Sequence, residues 1–191
     1  MAAPRAPSSG ARRKSRNIAA IPEARGADLT PAFDPATPAD VPVLLTLIGE
    51  LAEFERLGHE LAVTEAGLAD ALFGRPPAIE TVLARVGGEV AGFALYFHSF
   101  STFLGRRGLY LEDLYVRPAF RGQGIGRGLL EHVARLATAR GCARMEWAVL
   151  NWNRRAIGFY EALGARPVND WTVYRLDRAA LAALEPGAPG G

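Results

Sequence analysis

Cysteine, lysine and long apolar runs are nearly absent from this sequence, and each shortage excludes a class of protein. Cys142 is the single cysteine among 191 residues, which excludes an internal disulfide framework and a multi-cysteine zinc or iron–sulfur site. The three histidines are scattered, without the spacing of metal ligands. No apolar run approaches the roughly 20 residues that a membrane-spanning helix needs. We therefore expect a soluble, cytoplasmic protein with no metal and no membrane contact.

Positive charge is concentrated at one end of the chain. Residues 1–26 carry six basic residues, including the only lysine, Lys14, against the single acid Glu23, and the remaining residues are mildly acidic. A basic segment without apolar periodicity predicts a disordered tail over residues 1–26, and the Pro/Gly-rich residues 186–191 predict another. Between them we expect one domain, residues 27–185. Because that body lacks lysine and is acidic, a nucleic-acid partner is not expected.

Hydrophobic periodicity and turn signals predict the order of the elements. Thr37-Pro38-Ala39-Asp40 is typical of a helix start, and Thr64 begins a second helix that ends near Gly74. Strands are expected at 78–86, 90–97 and 109–116, followed by a helix from Ile125, a strand at 144–150, a helix at 154–163 and a strand at 171–176. After a weak first strand, this order predicts an α/β fold with a mixed, mostly antiparallel sheet flanked by helices.

The most informative stretch is Arg121-Gly122-Gln123-Gly124-Ile125-Gly126, which lies between a strand and a helix. Glycines at alternate positions let backbone N–H groups approach a ligand, and the N-terminus of a helix favours an anion such as a diphosphate. A dinucleotide fingerprint requires glycine at position 127 or 129, and a Walker loop requires Gly-Lys-Ser/Thr, neither of which is present. The alternative is a tight turn with no ligand.

The pattern Arg121-x-x-Gly124-x-Gly126 resembles the acetyl-CoA signature of the GNAT superfamily of N-acetyltransferases. Asn153-x-x-Ala156-x-x-Phe159-Tyr160-x-x-x-Gly164 resembles the second common pattern of that superfamily. Within the superfamily, the diamine and thialysine acetyltransferase branch is the most similar, through the sequence from Tyr110 to Val116 and the pair Trp152-Asn153. The resemblance implies a GNAT-type domain and acetyl-CoA as cosubstrate. Because members of this branch are commonly dimeric, it also implies a homodimer.

The resemblance also implies roles for individual residues. Tyr160 is the expected general acid, and Glu112 the expected substrate-binding glutamate that relays the proton of the amine. Phe54, Glu55 and Glu112 are expected to line the amine pocket. The residues expected to bind acetyl-CoA are Leu114, Tyr115, Val116, Arg121, Gly122, Gln123, Gly124, Ile125, Gly126, Arg127, Asn153, Arg154, Arg155, Ala156 and Tyr160.

Each of these side chains has an alternative, purely structural interpretation. Tyr160 fits a core aromatic on an amphipathic helix, and Asn153 fits a helix N-cap. Glu112 and Asp113 are adjacent acids in an apolar strand, and a salt bridge to an arginine is the alternative for both, favoured for Asp113. Because neighbouring strand residues point to opposite faces, one cleft receives only one of them unless a bulge intervenes. Glu55 fits a solvated acidic helix face.

The expected function is transfer of an acetyl group from acetyl-CoA to a primary amine of a small molecule. The loop before the Glu-Asp strand contains no acid and is followed by Arg106 and Arg107. These features favour an amino-acid-like acceptor such as thialysine or lysine over a polyamine. The alternatives are a diamine or polyamine acetyltransferase, an enzyme that acetylates protein N-termini or lysines, and a CoA-binding module that has lost catalysis.

Overall fold

The computed structural model describes residues 30–184. They fall into two compact units that divide after Met145, and each unit is described by itself. The predicted tails, residues 1–26 and 186–191, lie outside the described residues, and the domain boundaries 27–185 stay a prediction. No helix within residues 30–184 is both long and apolar enough to cross a membrane.

The elements follow the predicted order through the first unit. In chain order they are β1 (Ala32–Pro35), α1 (Val41–Glu55), α2 (Glu65–Phe73), β2 (Glu80–Val86), β3 (Glu89–Ser101), β4 (Arg106–Val116), α3 (Ile125–Ala139) and β5 (Met145–Glu146). The strand order of the sheet is β1-β2-β3-β4-β5, and the first three strand pairs are antiparallel. The predicted α/β fold with a mostly antiparallel sheet is confirmed.

Local sequence signals explain where the elements of this unit begin and turn. The backbone N–H and the hydroxyl of Thr37 both donate to the Asp40 carboxylate, at 2.9 and 2.8 Å. The Thr64 hydroxyl accepts from the backbone N–H of Gly67 at the start of α2. Gly87 and Gly88 have φ of 57° and 84°, so the β2–β3 hairpin needs residues that tolerate positive φ.

Helix α1 packs on one face of the sheet and is fixed at its N-terminal end by an ion pair. Leu44, Leu47 and Phe93 are completely buried in the cluster that α1, α2 and the sheet share. Arg85 of β2 donates to Asp40 just before α1. Burial alone raises the pKa of Asp40, but the hydrogen bonds from Arg85 and Thr37 outweigh it, so the pKa lies below its usual value. The ion pair therefore ties the start of α1 to the sheet.

Helix α3 also packs against the sheet, through its strongly apolar side. Ile125, Leu129 and Val133 are at most 1% exposed, as their helical spacing predicts. Phe33 of the edge strand β1 packs against His132 of α3, with ring centroids 6.2 Å apart. A short 3-10 turn, Pro118–Phe120, is the only element between β4 and α3, and the glycine-rich stretch joins this turn to the N-terminus of α3.

The structure departs from the prediction at two strands, one at the division between the two units and one within the second unit. The strand expected at 144–150 is reduced to Met145–Glu146, and residues 171–176 form no strand. Trp171, Val173 and Tyr174 are 74%, 89% and 92% exposed. The strand prediction rested on the high β-propensity of these residues, but a strand also needs a neighbour, and no described strand pairs with them.

The helices of the second unit are α4 (Arg154–Ala162) and α5 (Arg178–Ala183). Helix α4 was predicted, and Gly164 follows it with φ of 88°, a conformation typical of the residue after a helix. Helix α5 was not predicted, although its signal is present. The Asp177 carboxylate accepts from the backbone N–H of Ala180 at 2.8 Å, and an alanine-rich run follows this N-cap.

Candidate active site

The glycine-rich stretch forms an open cradle at the N-terminus of α3. Gly122 and Gly124 both have φ of 80°, and Gly124 is the N-cap of the helix. A Cβ added at either glycine meets no atom of the described residues within 4 Å. The glycines are therefore required by their backbone conformation, and the space above them is open. The first-turn amides of a helix lack intrahelical acceptors, so this cradle is suited to an anion such as a diphosphate.

The two arginines expected beside that anion have different surroundings. Arg127 is exposed and forms an ion pair with Glu131 one turn later, with Nε and Oε1 2.7 Å apart. Arg121 is half-buried and folds back over two rings. Its Cζ lies 4.8 Å from the centroid of Phe54 and 5.5 Å from that of Tyr115. The Arg121 Nε also donates to the backbone carbonyl of Val116 at 2.8 Å.

A β-bulge in β4 determines which way its acidic residues point. Asp113 pairs with Leu95 and Leu111 pairs with Tyr96, so Glu112 is an extra residue between two consecutive positions of β3. Residues that pair across antiparallel strands lie on the same face. The bulge therefore places Asp113 on the face of Leu95, which packs in the α1 cluster, whereas Leu111 lies on the face of Tyr96. The β-bulge, which the sequence allowed but did not predict, is therefore present.

Asp113 belongs to a group of three carboxylates formed with Glu112 and Glu55. Burial, and then the charges of Glu112 and Glu55, raise the pKa of Asp113 to about 6. Burial also raises the pKa of Glu55, whereas Glu112 is exposed. No ion pair within residues 30–184 includes Asp113, so the described residues do not supply the arginine that the salt-bridge interpretation requires. Three neighbouring carboxylates attract an ammonium group.

The C-terminal end of α1 supplies the other side of this acidic group. Helix α1 ends at Glu55, and the next residue, Arg56, adopts a left-handed conformation with φ of 64°. Phe54 is 41% exposed, and Glu50, one turn earlier, forms an ion pair with Arg117 at 3.0 Å. The acidic end of α1 is thus not the uniformly solvated face that was the alternative for Glu55.

The loop expected to discriminate between acceptors lies at the other end of β4. Ser101 pairs with Arg106, where β3 turns into β4. Asp113 is seven positions further along β4, which at about 3.4 Å per residue is a distance of about 24 Å. An arginine side chain does not span that distance, so Arg106 and Arg107 do not face the three carboxylates of their own chain.

In the second unit, the Asn153–Gly164 pattern covers helix α4 together with the residues that cap its two ends. Asn153 is the N-cap, and its side-chain oxygen accepts from the backbone N–H of Ala156 at 3.1 Å. Arg154 and Arg155 follow in the exposed first turn. Tyr160 is half-buried, and its ring centroid lies 5.0 Å from that of Trp147 and 5.2 Å from that of Phe159.

Sequence reasoning missed two features of the first unit. It did not assign Asp113 to the acidic group, although the possibility of a bulge was the available signal. It also placed Arg121 beside the anion without foreseeing its contact with Phe54, for which the sequence gives no signal. Within the described range, no three His, Cys, Asp or Glu side chains form a group that could hold a metal ion.

Comparison with known proteins agrees with this geometry. The model of the acetyltransferase (GNAT) family matches residues 48–165. A thialysine N-epsilon-acetyltransferase of Bos taurus is 39% identical over 74% of this chain and 89% of its own length. An L-ornithine N5-acetyltransferase of Arabidopsis thaliana is 33% identical over 78% and 86%. A solved structure, an integron cassette protein of V. cholerae, has a TM-score of 0.69 and 27% identity, covering 81% of this chain and 96% of its own. The chain belongs to the GNAT family and is an enzyme that transfers acetyl groups.

Proposed function

We propose that this enzyme transfers the acetyl group of acetyl-CoA to a primary amine of a small, amino-acid-like molecule of the thialysine or lysine type. The observation that carries the proposal is the bulge at Glu112, which brings Asp113 into one group with Glu55 and Glu112. Such a group suits a small cation. Relatives that are named for thialysine and ornithine act on amino acids with a side-chain amine, which supports this acceptor class.

Acetyl-CoA fits the residues at the end of β4. The open cradle at Gly122 and Gly124 suits its diphosphate, as argued above. The backbone N–H of Arg117 donates to Ala91 of β3. Because donor direction alternates along a strand, the N–H groups of Leu114 and Val116 point away from β3. We assign these two N–H groups to the amide groups of the pantetheine arm, and the carbonyl oxygen of the reacting thioester to the Leu114 N–H.

The chemistry requires that the amine lose a proton before it attacks. An alkyl ammonium has an ordinary pKa of about 10.4 and is not a nucleophile. We assign proton acceptance to Glu112, directly or through water, and attraction of the cation to Asp113 and Glu55. Tyr160 is assigned as the acid that protonates the departing CoA thiolate. Its position in the Asn153–Gly164 pattern carries that assignment, and Asn153 to Ala156 are assigned to the cofactor with it.

A homodimer and a cytoplasmic location belong to the same proposal. The homodimer is proposed from the resemblance to the diamine and thialysine branch, in which dimers are common. A single cysteine in 191 residues is typical of reducing compartments. Sedimentation at micromolar concentration tests the dimer, and a monomer there rejects that part of the proposal.

The experiment that tests the proposed function is a CoA-release assay over a panel of acceptors. The panel contains thialysine, lysine, ornithine, putrescine, spermidine and a peptide with a free N-terminus. We expect the amino acids to have the highest kcat/KM. Release with spermidine or the peptide above that with every amino acid rejects the acceptor class, and no release with any amine rejects the enzymatic assignment.

A further inference from the structure

We propose that Arg121 is a positioning residue that couples acceptor binding to acetyl-CoA binding, by linking the Phe54 ring to the edge of β4. This inference rests on the proposed function, because it assumes that Phe54 lines the acceptor pocket and that β4 binds the pantetheine arm. It assigns Arg121 a role other than a cation that contacts the diphosphate.

The ring contacts of Arg121 lie on the side of the first unit where α1 packs. Its guanidinium lies within cation–π distance of two rings, with Cζ 4.8 Å from the centroid of Phe54 and 5.5 Å from that of Tyr115. Phe54 is in the last turn of α1 and Tyr115 in β4. The side chain of Arg121 therefore joins the acceptor-side helix to the cofactor-side strand, although the residue itself belongs to the glycine-rich stretch.

The hydrogen bond of Arg121 falls on the edge of β4 that the cofactor is proposed to use. In an antiparallel strand the N–H and C=O of one residue point to the same side. The Arg117 N–H points to β3, so the N–H and C=O of Val116 point away from it. The Val116 carbonyl accepts instead from the Arg121 Nε at 2.8 Å. A pantetheine arm bound to the Val116 N–H thus fixes the same peptide segment that holds Arg121.

These contacts create a path of rigid groups between the two ligands. Cofactor binding that fixes the end of β4 also fixes the guanidinium, and the guanidinium holds the Phe54 ring in place. Phe54 is 41% exposed, so part of this side chain is available to an acceptor. By thermodynamic linkage, each ligand then raises the affinity of the protein for the other by the same factor.

An arginine that only binds the diphosphate of CoA would behave differently from a coupling residue. Removing such a cation weakens CoA binding and leaves the ratio of acceptor affinities, with and without CoA, unchanged. Removing a coupling residue lowers that ratio toward one. The ratio therefore separates the two roles even when CoA affinity changes in both.

The test measures the dissociation constant of thialysine by calorimetry, with and without saturating CoA, a pair that cannot react. The variants are Arg121→Met, which removes the charge, Arg121→Lys, which keeps the charge without the planar group, and Phe54→Leu, which removes the ring. Arg135→Met is the matched control, since Arg135 is an exposed arginine on α3. Thermal unfolding of each variant checks that it is folded.

We expect CoA to tighten thialysine binding about fivefold or more in the wild type and in Arg135→Met. In Arg121→Met and in Phe54→Leu, the factor by which CoA tightens thialysine binding should fall below twofold, and in Arg121→Lys it should be intermediate. The double variant, Arg121→Met with Phe54→Leu, should lose no more of this factor than either single variant. In steady state, Arg121→Met raises the KM of the acceptor more than it lowers kcat.

Two results would overturn the inference. They are a wild-type factor near one, and an unchanged factor in Arg121→Met, with or without a loss of CoA affinity. Failure of the proposed function is distinguishable, because it appears as wild-type protein that releases no CoA with any amine.

Discussion

Asp113 pairs with Leu95 of β3, whereas the adjacent Glu112 is the extra residue of a β-bulge. Without the bulge, adjacent residues of a strand point to opposite faces and only one acid belongs to a given pocket. With it, β4 changes faces and Asp113 lies where the charges of Glu112 and Glu55 both raise its pKa. The site therefore collects negative charge that opposes folding in the absence of a cation.

The first prediction concerns the stability cost of Asp113. Its pKa in the folded protein, about 6, lies above the ordinary value of about 3.9. The unfolded state therefore ionises first, and the free energy of unfolding falls as the pH rises from about 4 to about 6. The two-unit difference corresponds to at most about 3 kcal/mol. Asp113→Asn should be more stable than the wild type at pH 8 and nearly equal to it at pH 4.

Chemical denaturation at both pH values measures this difference. Asp170→Asn is the control, because Asp170 is exposed in the second unit, and it should follow the wild type at both. If the free energies of unfolding of Asp113→Asn and the wild type differ by the same amount at pH 4 and at pH 8, the Asp113 carboxylate does not titrate as the structure indicates.

The second prediction concerns the glycine cradle. Acetyl-CoA should raise the Tm of the wild type, because it binds the folded state. Gly124→Ala should lose this shift, since a Cβ there enters the open space above the helix N-terminus. Gly141→Ala is a matched control. Gly141 has φ of 68° and equally open surroundings, but it follows the other end of α3.

Both alanine variants should unfold at a lower temperature without ligand, because both place an L-residue at positive φ. Only Gly124→Ala should lose the ligand-induced shift. An equal shift in both would mean that the diphosphate is bound elsewhere.

The third prediction concerns Glu112. Glu112→Gln removes the proposed proton acceptor and one charge of the acidic group. We expect a higher KM for the amine and an activity optimum at higher pH, because more of the amine must then lose its proton in solution. The pH dependence of kcat/KM measures this, and a profile identical to that of the wild type would exclude a proton-relay role.

The fourth prediction concerns Tyr160. Tyr160→Phe keeps the ring that packs on Trp147 and removes the hydroxyl. The kcat should fall roughly 10²-fold with little change in the KM of acetyl-CoA, the scale expected for a lost general acid. Tyr174→Phe is the control, since Tyr174 is 92% exposed. Turnover at the wild-type rate in Tyr160→Phe would return Tyr160 to a purely structural role.

Local signals predicted the parts of the fold that depend on a few consecutive residues. Thr37 with Asp40, Thr64 and the Gly87-Gly88 pair each satisfy or orient the backbone within their own turn. The cradle at Gly124 is of the same kind, since glycine tolerates the positive φ that the strand–helix turn requires. These features were readable because both cause and effect lie within a short stretch of chain.

The parts that sequence reasoning missed depend on residues far apart in the chain. The bulge at Glu112 appears only when the register of β4 against β3 is known. The place of the Arg121 side chain depends on Phe54, which a different helix supplies. Trp171 and Val173 have high β-propensity but no partner strand among the described residues. Propensity is a property of single residues and does not predict which strand pairs with them.

The central claim is that this enzyme acetylates the amine of a small amino acid. Its most direct test is a competition in which thialysine and spermidine, at equal concentration, share a limiting amount of acetyl-CoA. The ratio of the two acetylated products, identified by mass spectrometry, equals the ratio of their kcat/KM values. We expect acetyl-thialysine to predominate by tenfold or more, and equal or greater formation of acetyl-spermidine would exclude a preference for the amino acid.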